Sequence, residues 1–221
     1  TKRGVLEINE QTKGLARDIF KIAEIVPEVL IKTDKGVDLQ STTKTSIWQN
    51  GKIKYVGLLN EPESMSGGIK SSDAIGVSIL FENKGHLYDV REKKYIGEIS
   101  KDKEIKTNII PAVAKIYAIM PYKIVGLDVK LNKKNYKVGE IINLPVKVKV
   151  SGQAGTHIVY AEVYGPDKEV RNYYSQKVVL EKGEGIIKIP TAFNDPTGDW
   201  SIMLRDVASG LSKKVDIKIT Q

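Results

Sequence analysis

The chain has 221 residues, 41% hydrophobic and 28% charged, with no cysteine and a formal net charge of +8. Single domains most often run to about 100 to 150 residues, so this length suits two; the lack of cysteine excludes disulfides, zinc–thiolate sites and thiol nucleophiles. No apolar stretch approaches the roughly 18 to 20 residues of a helical membrane span, and the basic excess is dispersed lysine with few arginines, which speaks against a nucleic-acid or membrane partner.

The spacing of Leu15, Ile19, Ile22 and Val26, with Lys13, Arg17, Asp18, Lys21 and Glu24 opposite, predicts an amphipathic helix over 13–26, ended by Pro27. From there the punctuation is that of strands. VLIKT (29–33) is a short apolar run, and SIWQNGKIKYVGLL (46–59) carries Asn50-Gly51 at its centre, the pair that favours a type I′ hairpin turn. NEPESMSGGIKSSD (60–73) reads as a flexible surface loop. AIGVSILF, HLYDV, YIGEI, EIKTNI and AVAKIYAIM follow, about eight short strands in all.

KIYAIMPYKIVGLDVKL (115–131) passes from one alternating run to another through Pro121 without a polar loop. It reads as a junction in which one sandwich closes, PYKIV connects and GLDVKL opens the next, with the two halves packed at a fixed angle. IINLPVKVKV (141–150) alternates apolar residues with Pro145, Lys147 and Lys149, so one face is buried and the other wet. Strands in THIVYAEVY, QKVVL, IIKIP, GDWSIMLRD and LSKKVDIKIT complete a set of about seven, the pattern of an immunoglobulin-like sandwich. The expected fold is therefore mainly β: two consecutive antiparallel β-sandwich domains with one amino-terminal amphipathic helix. The expected boundaries are 1–28 for the helical segment, 29–124 for the first sandwich and 125–221 for the second.

Candidate chemistry is sparse. Asn60-Glu61-Pro62 after a strand has the form of a glycosidase acid/base segment, but the mechanism needs a second carboxylate on a barrel of roughly 250 residues. His86 and His157 are the two histidines, each at the start of an alternating strand, which suits neither a metal site nor a serine triad. KGEGIIK (182–188) lies between strands and lacks the third glycine of a phosphate cradle. Asp195 and Asp199 fall short of a calcium ligand set. No catalytic residue, metal site or cofactor is expected. Trp48, Tyr173 and Tyr174 are the candidate carbohydrate contacts: adjacent tyrosines in a strand point to opposite faces, and Trp48 flanks a hairpin turn.

HLYDVREKKYIGEI (86–99) and IIPAVAKIYAIMPYKI (109–124), through Tyr88, Asp89, Val90, Tyr95, Ile96, Gly97, Pro111 and Pro121, resemble the β-rich region near the carboxy terminus of β-galactosidase-like glycoside hydrolases. YKVGEIINLPVKVKV (136–150) and GDWSIMLRD (198–206) are similar to macroglobulin-like and other bacterial immunoglobulin-like domains. The resemblance implies a non-catalytic accessory region of a larger protein, whose partners are an upstream catalytic domain and polysaccharide, in an extracellular or periplasmic setting. It places catalysis upstream, so no residue here inherits a catalytic role, and the start at Thr1 is expected to be that of a fragment. The alternative is an independent immunoglobulin-like adhesion or interaction module.

Overall fold

The computed structural model describes residues 14, 15, 18, 19, 22, 23, 26–40, 42–61 and 73–221. Its architecture is mainly β, with sixteen strands among those residues. Half of the helix expected over 13–26 lies outside the described residues, and no continuous helix is delimited among the rest. Leu15, Ile19, Ile22 and Val26, the expected buried stripe, are all exposed.

Strands β1 (Val29–Thr33), β4 (Ile75–Phe81) and β7 (Ile105–Ile109) form one antiparallel sheet in the order β1-β4-β7. Strands β2 (Thr43–Asn50), β3 (Ile53–Asn60), β5 (Gly85–Asp89), β6 (Lys94–Ile99) and β8 (Lys115–Met120) form a second, in the order β2-β3-β8-β5-β6. One apolar cluster lies between them. Alternation supplies it: Ile31, Val77, Ile79, Phe81, Ile105 and Ile109 come from the first sheet, and Val56, Leu58, Leu87, Tyr117 and Ile119 from the second.

The remaining strands pair among themselves. β9 (Ile124–Val129), β11 (Ile141–Val150) and β14 (Glu184–Pro190) make a three-stranded sheet. β10 (Asn135–Lys137), β12 (His157–Tyr164), β13 (Gln176–Leu180), β15 (Gly198–Asp206) and β16 (Ser212–Thr220) make a five-stranded one, in the order β10-β16-β15-β12-β13. The short β10 runs parallel to β16, the last strand. Pro145 sits in the central strand β11, where a missing N–H would normally break a ladder. The cost is avoided because pairing with β9 starts only at Val146, and Pro145 contributes just its carbonyl, accepting from Lys130 N–H at 3.2 Å.

The hairpin expected at Asn50-Gly51 is present, shifted by one residue. Asn50 still pairs with Ile53, so the two-residue loop is Gly51-Lys52. Of these only Gly51 has a positive φ, at 58°, which is the requirement of a II′ rather than a I′ turn.

β8 is buried along four consecutive residues, Tyr117 to Met120. Tyr117 and Ile119 face the first core, whereas Ala118 and Met120 point the other way and join a second cluster that includes Leu144, Val159, Trp200 and Ile202. The outer face of the amino-terminal five-stranded sheet is thus covered by the carboxy-terminal strands at β3, β8 and β5. A strand buried on both faces reads as a nearly continuous apolar run, which is how KIYAIM reads.

Candidate functional site

The densest group of buried polar side chains lies at that junction. Tyr122 follows β8, and its hydroxyl accepts from Gly155 N–H at 2.8 Å while standing 3.0 Å from His157 Nε2. His157 opens β12, and its Nδ1 lies 2.8 Å from Asp206 Oδ1 at the end of β15. The second carboxylate oxygen of Asp206 accepts from Ser209 N–H at 2.8 Å and Ser209 Oγ at 2.7 Å. The side chains of His157 and Asp206 have no exposure at all.

One proton arrangement satisfies the whole chain. Tyr122 Oη already receives the Gly155 N–H, so its own proton goes to His157 Nε2, and Nδ1–H donates to Asp206. Every member then has its partner, as a buried polar network requires. The order Tyr–His–Asp has the form of a proton relay, but Tyr122 Oη is buried and occupied on both sides. What the arrangement does is brace the β8–β9 connection at Tyr122 against β12 and β15.

Further contacts reinforce the brace. Tyr88 Oη accepts from Ile124 N–H at 2.7 Å, joining β5 to β9. Burial, ahead of all other influences, pushes the Tyr88 hydroxyl from 10.0 up to about 12, and it also raises Tyr122. Lys123 and Ser151 exchange two hydrogen bonds, at 2.8 and 2.9 Å. Gly210, at φ 74°, lies flat against Lys93, itself at φ 54°: a β-carbon on Gly210 would stand 2.5 Å from the Lys93 backbone. Only glycine fits both the dihedral and the gap there.

Trp48 is 56% exposed on β2, its indole lying over Gly57 of the next strand. Tyr173 is 71% exposed, while Tyr174 is buried. The two belong to a turn between β12 and β13 rather than a strand, so the opposite-face argument was right in outcome and wrong in cause. Tyr174 Oη donates to Asp195 Oδ2 at 2.6 Å and its ring packs on Trp200; burial, followed by that carboxylate, pushes it up to about 12. Trp48, on β2, and the tyrosine pair, in the β12–β13 turn, share no ring contact among the described residues.

Glu61 is exposed and paired with Lys44 at 2.5 Å, and Pro62 lies outside the described residues, as does most of the expected loop 60–73. Asn60 is buried, its amide donating to Thr43 Oγ1 at 3.0 Å. His86 Nδ1 is 3.0 Å from Tyr95 Oη. Asp195 is held by Tyr174 and by Ala192 N–H, whereas Asp199 is exposed on β15. Lys182 and Gly183, both with positive φ, form the turn between β13 and β14. Among the described residues no group of three or more His, Asp or Glu is arranged to hold a metal.

Sequence reasoning missed the brace. Its partners are 35 and 49 residues apart, so no local spacing announces it. The one local signal is DVAS (206–209), an Asp followed three residues later by Ser, the pattern of a turn capped by its own side chains.

No family model and no curated protein matches the chain. Among solved structures it is similar to a β-glucosidase from Listeria innocua in complex with isofagomine, at 15% identity and a TM-score of 0.32, over 44% of this chain and 16% of that one. It is also similar to an alpha-2-macroglobulin variant from Salmonella, at 13% identity and a TM-score of 0.36, over 76% and 14%. The amphioxus IgVJ-C2 molecule matches at 9% identity and a TM-score of 0.25, over 87% of each chain. The chain thus spans about one sixth of the β-glucosidase and one seventh of the macroglobulin. These likenesses are weak and lie at the level of fold.

Proposed function

We propose that the chain is a non-catalytic pair of β-sandwich domains, 29–124 and 125–221, which serves as an accessory region of a larger glycoside-hydrolase-like protein. Its role is to hold an upstream catalytic part, or a polysaccharide, at a fixed geometry. The observation that carries this reading is the brace: His157 and Asp206, the groups best suited to acid–base work, are fully buried and spent on each other and on Tyr122 of the β8–β9 connection. Glu61 faces solvent and is paired with Lys44. Trp48 and Tyr173 are the proposed carbohydrate contacts, with Tyr174 supporting Tyr173 from beneath at a ring separation of 4.5 Å.

The test is turnover of aryl glycosides by the purified chain. The expected result is none above background, equal in Glu61→Gln; turnover abolished by Glu61→Gln overturns the reading. An adhesion or interaction module is the second reading, favoured by the cross-strand pair Ile158 and Val179, both exposed on the five-stranded carboxy-terminal sheet. The reading frame upstream of Thr1 separates the two: a barrel with paired carboxylates supports the accessory role, and further immunoglobulin-like repeats support adhesion.

A further inference from the structure

At the end of the amino-terminal strands, a cleft opens between edge strand β7 and the ends of β5 and β8. Its floor holds Asp89, 2% exposed, whose Oδ1 accepts from Glu92 N–H at 3.0 Å and whose Oδ2 accepts from Lys115 Nζ at 2.7 Å. An ammonium has three donors; among the described residues Lys115 makes one hydrogen bond, to Asp89, and its Nζ lies 5.8 Å from the Tyr117 ring centroid, so further N–H groups are available at the cleft. Arg91, on the rim, spends one donor on Ala114 O at 3.0 Å and keeps the rest of its fork. Glu92 and Asn108 offer further acceptors, and the exposed Val113 adds an apolar side chain to the same lining. Below, Tyr117 Oη is buried without a hydrogen bond of good geometry. Its titration is driven upward by burial first and by the Asp89 charge second.

The lining carries two carboxylates and two cations. An anionic ligand would meet Asp89 and Glu92, a cationic one Lys115 and Arg91, and neither gains a net field. A neutral polyhydroxyl ligand is different, since each hydroxyl both donates and accepts and finds charged partners of both kinds side by side, which make the stronger hydrogen bonds. We propose that this cleft is a binding site for a neutral saccharide, held through adjacent hydroxyls by Lys115, Arg91 and Asn108. It is separate from the Trp48 and Tyr173 contacts and does not depend on them.

The experiment is an amide-resolved NMR titration of the whole chain with cellotetraose, xylotetraose and galactotetraose, and with tetragalacturonate and chitosan tetramer as charged counterparts. Titration runs to about 20 mM, where a millimolar site is nearly saturated. The expected result is saturable shifts at Glu92, Asn108 and Val113 with at least one neutral tetramer. Asn108→Ala, a surface change that leaves the fold intact, weakens that binding by about fivefold and Lys115→Met by about tenfold, while Trp48→Ala leaves it unchanged. Shifts with only the charged tetramers, shifts confined to Trp48 or Tyr173, or none with any probe overturn the proposal.

Discussion

β2 and β8 belong to the same five-stranded sheet, and they could hardly be treated more differently by the fold. After Thr43, every residue of β2 is exposed, on both faces, whereas four successive residues of β8 are buried. β2 is an edge strand whose faces find no cover among the described residues; β8 is central and has one core on one side and the carboxy-terminal strands on the other. Strand identity therefore follows from the sheet, but burial follows from what is laid across it. The sequences reflect this: TKTSIWQN is polar on both faces apart from Ile47 and Trp48, and KIYAIM is apolar on both after its lysine.

The largest separation between the two strands is expected from a charge. Met120→Lys places an ammonium where the two halves meet and lowers stability by about 4 to 5 kcal/mol. Thr45→Lys on β2 stays within about 0.5 kcal/mol. Urea unfolding of both variants measures the contrast, and equal effects would remove it.

The brace comes next. His157→Ala strands the buried Asp206 carboxylate and leaves Tyr122 without its acceptor, costing about 3 to 5 kcal/mol. A double-mutant cycle with Tyr122→Phe should give a coupling of about 0.5 to 3 kcal/mol, since the two residues share one network. Additive losses would show that they act separately.

Tyr88→Phe is expected to cost about 1 to 3 kcal/mol, because the buried Ile124 N–H loses its acceptor. The same hydroxyl predicts a pH dependence. Its folded pKa is raised from 10.0 to about 12, so folding favours the protonated form. The associated stability is complete below about pH 10 and is lost as pH rises toward 12. Alkaline denaturation followed by near-ultraviolet absorbance should begin later in Tyr88→Phe, once its lower starting stability is allowed for. An identical onset would assign the alkaline transition to other tyrosines.

Apart from the Thr45→Lys reference, Trp48→Ala should do least, about 0.5 to 1 kcal/mol from the lost cover over Gly57. It should not alter the junction at all. A loss as large as that of His157→Ala would mean that β2 is anchored by contacts other than its pairing with β3.

Much of the fold was legible because period-two alternation survives wherever one face is buried. β11 is bounded as the alternation of LPVKVKV suggests, and β16 likewise follows Val215, Ile217 and Ile219. β10 escaped notice because three residues show no period, and its parallel partner is the last strand of the chain. The hairpin turn slipped by one residue because Asn50 is held in the β2 ladder by its pairing with Ile53, which leaves only Gly51 to take the positive φ. Of the candidate aromatics, Tyr174 could be told from Tyr173 only once Asp195 and Trp200 were in place around it. The brace depends on contacts between residues far apart in the chain, and its members look like ordinary strand-end residues until the sheets are assembled.

The central claim is that the two halves form one body. Residual dipolar couplings of backbone amides, measured in one aligned medium, test it directly. A single alignment tensor fitting β1–β8 and β9–β16 together is the expected result. Two tensors of different magnitude or orientation would contradict it.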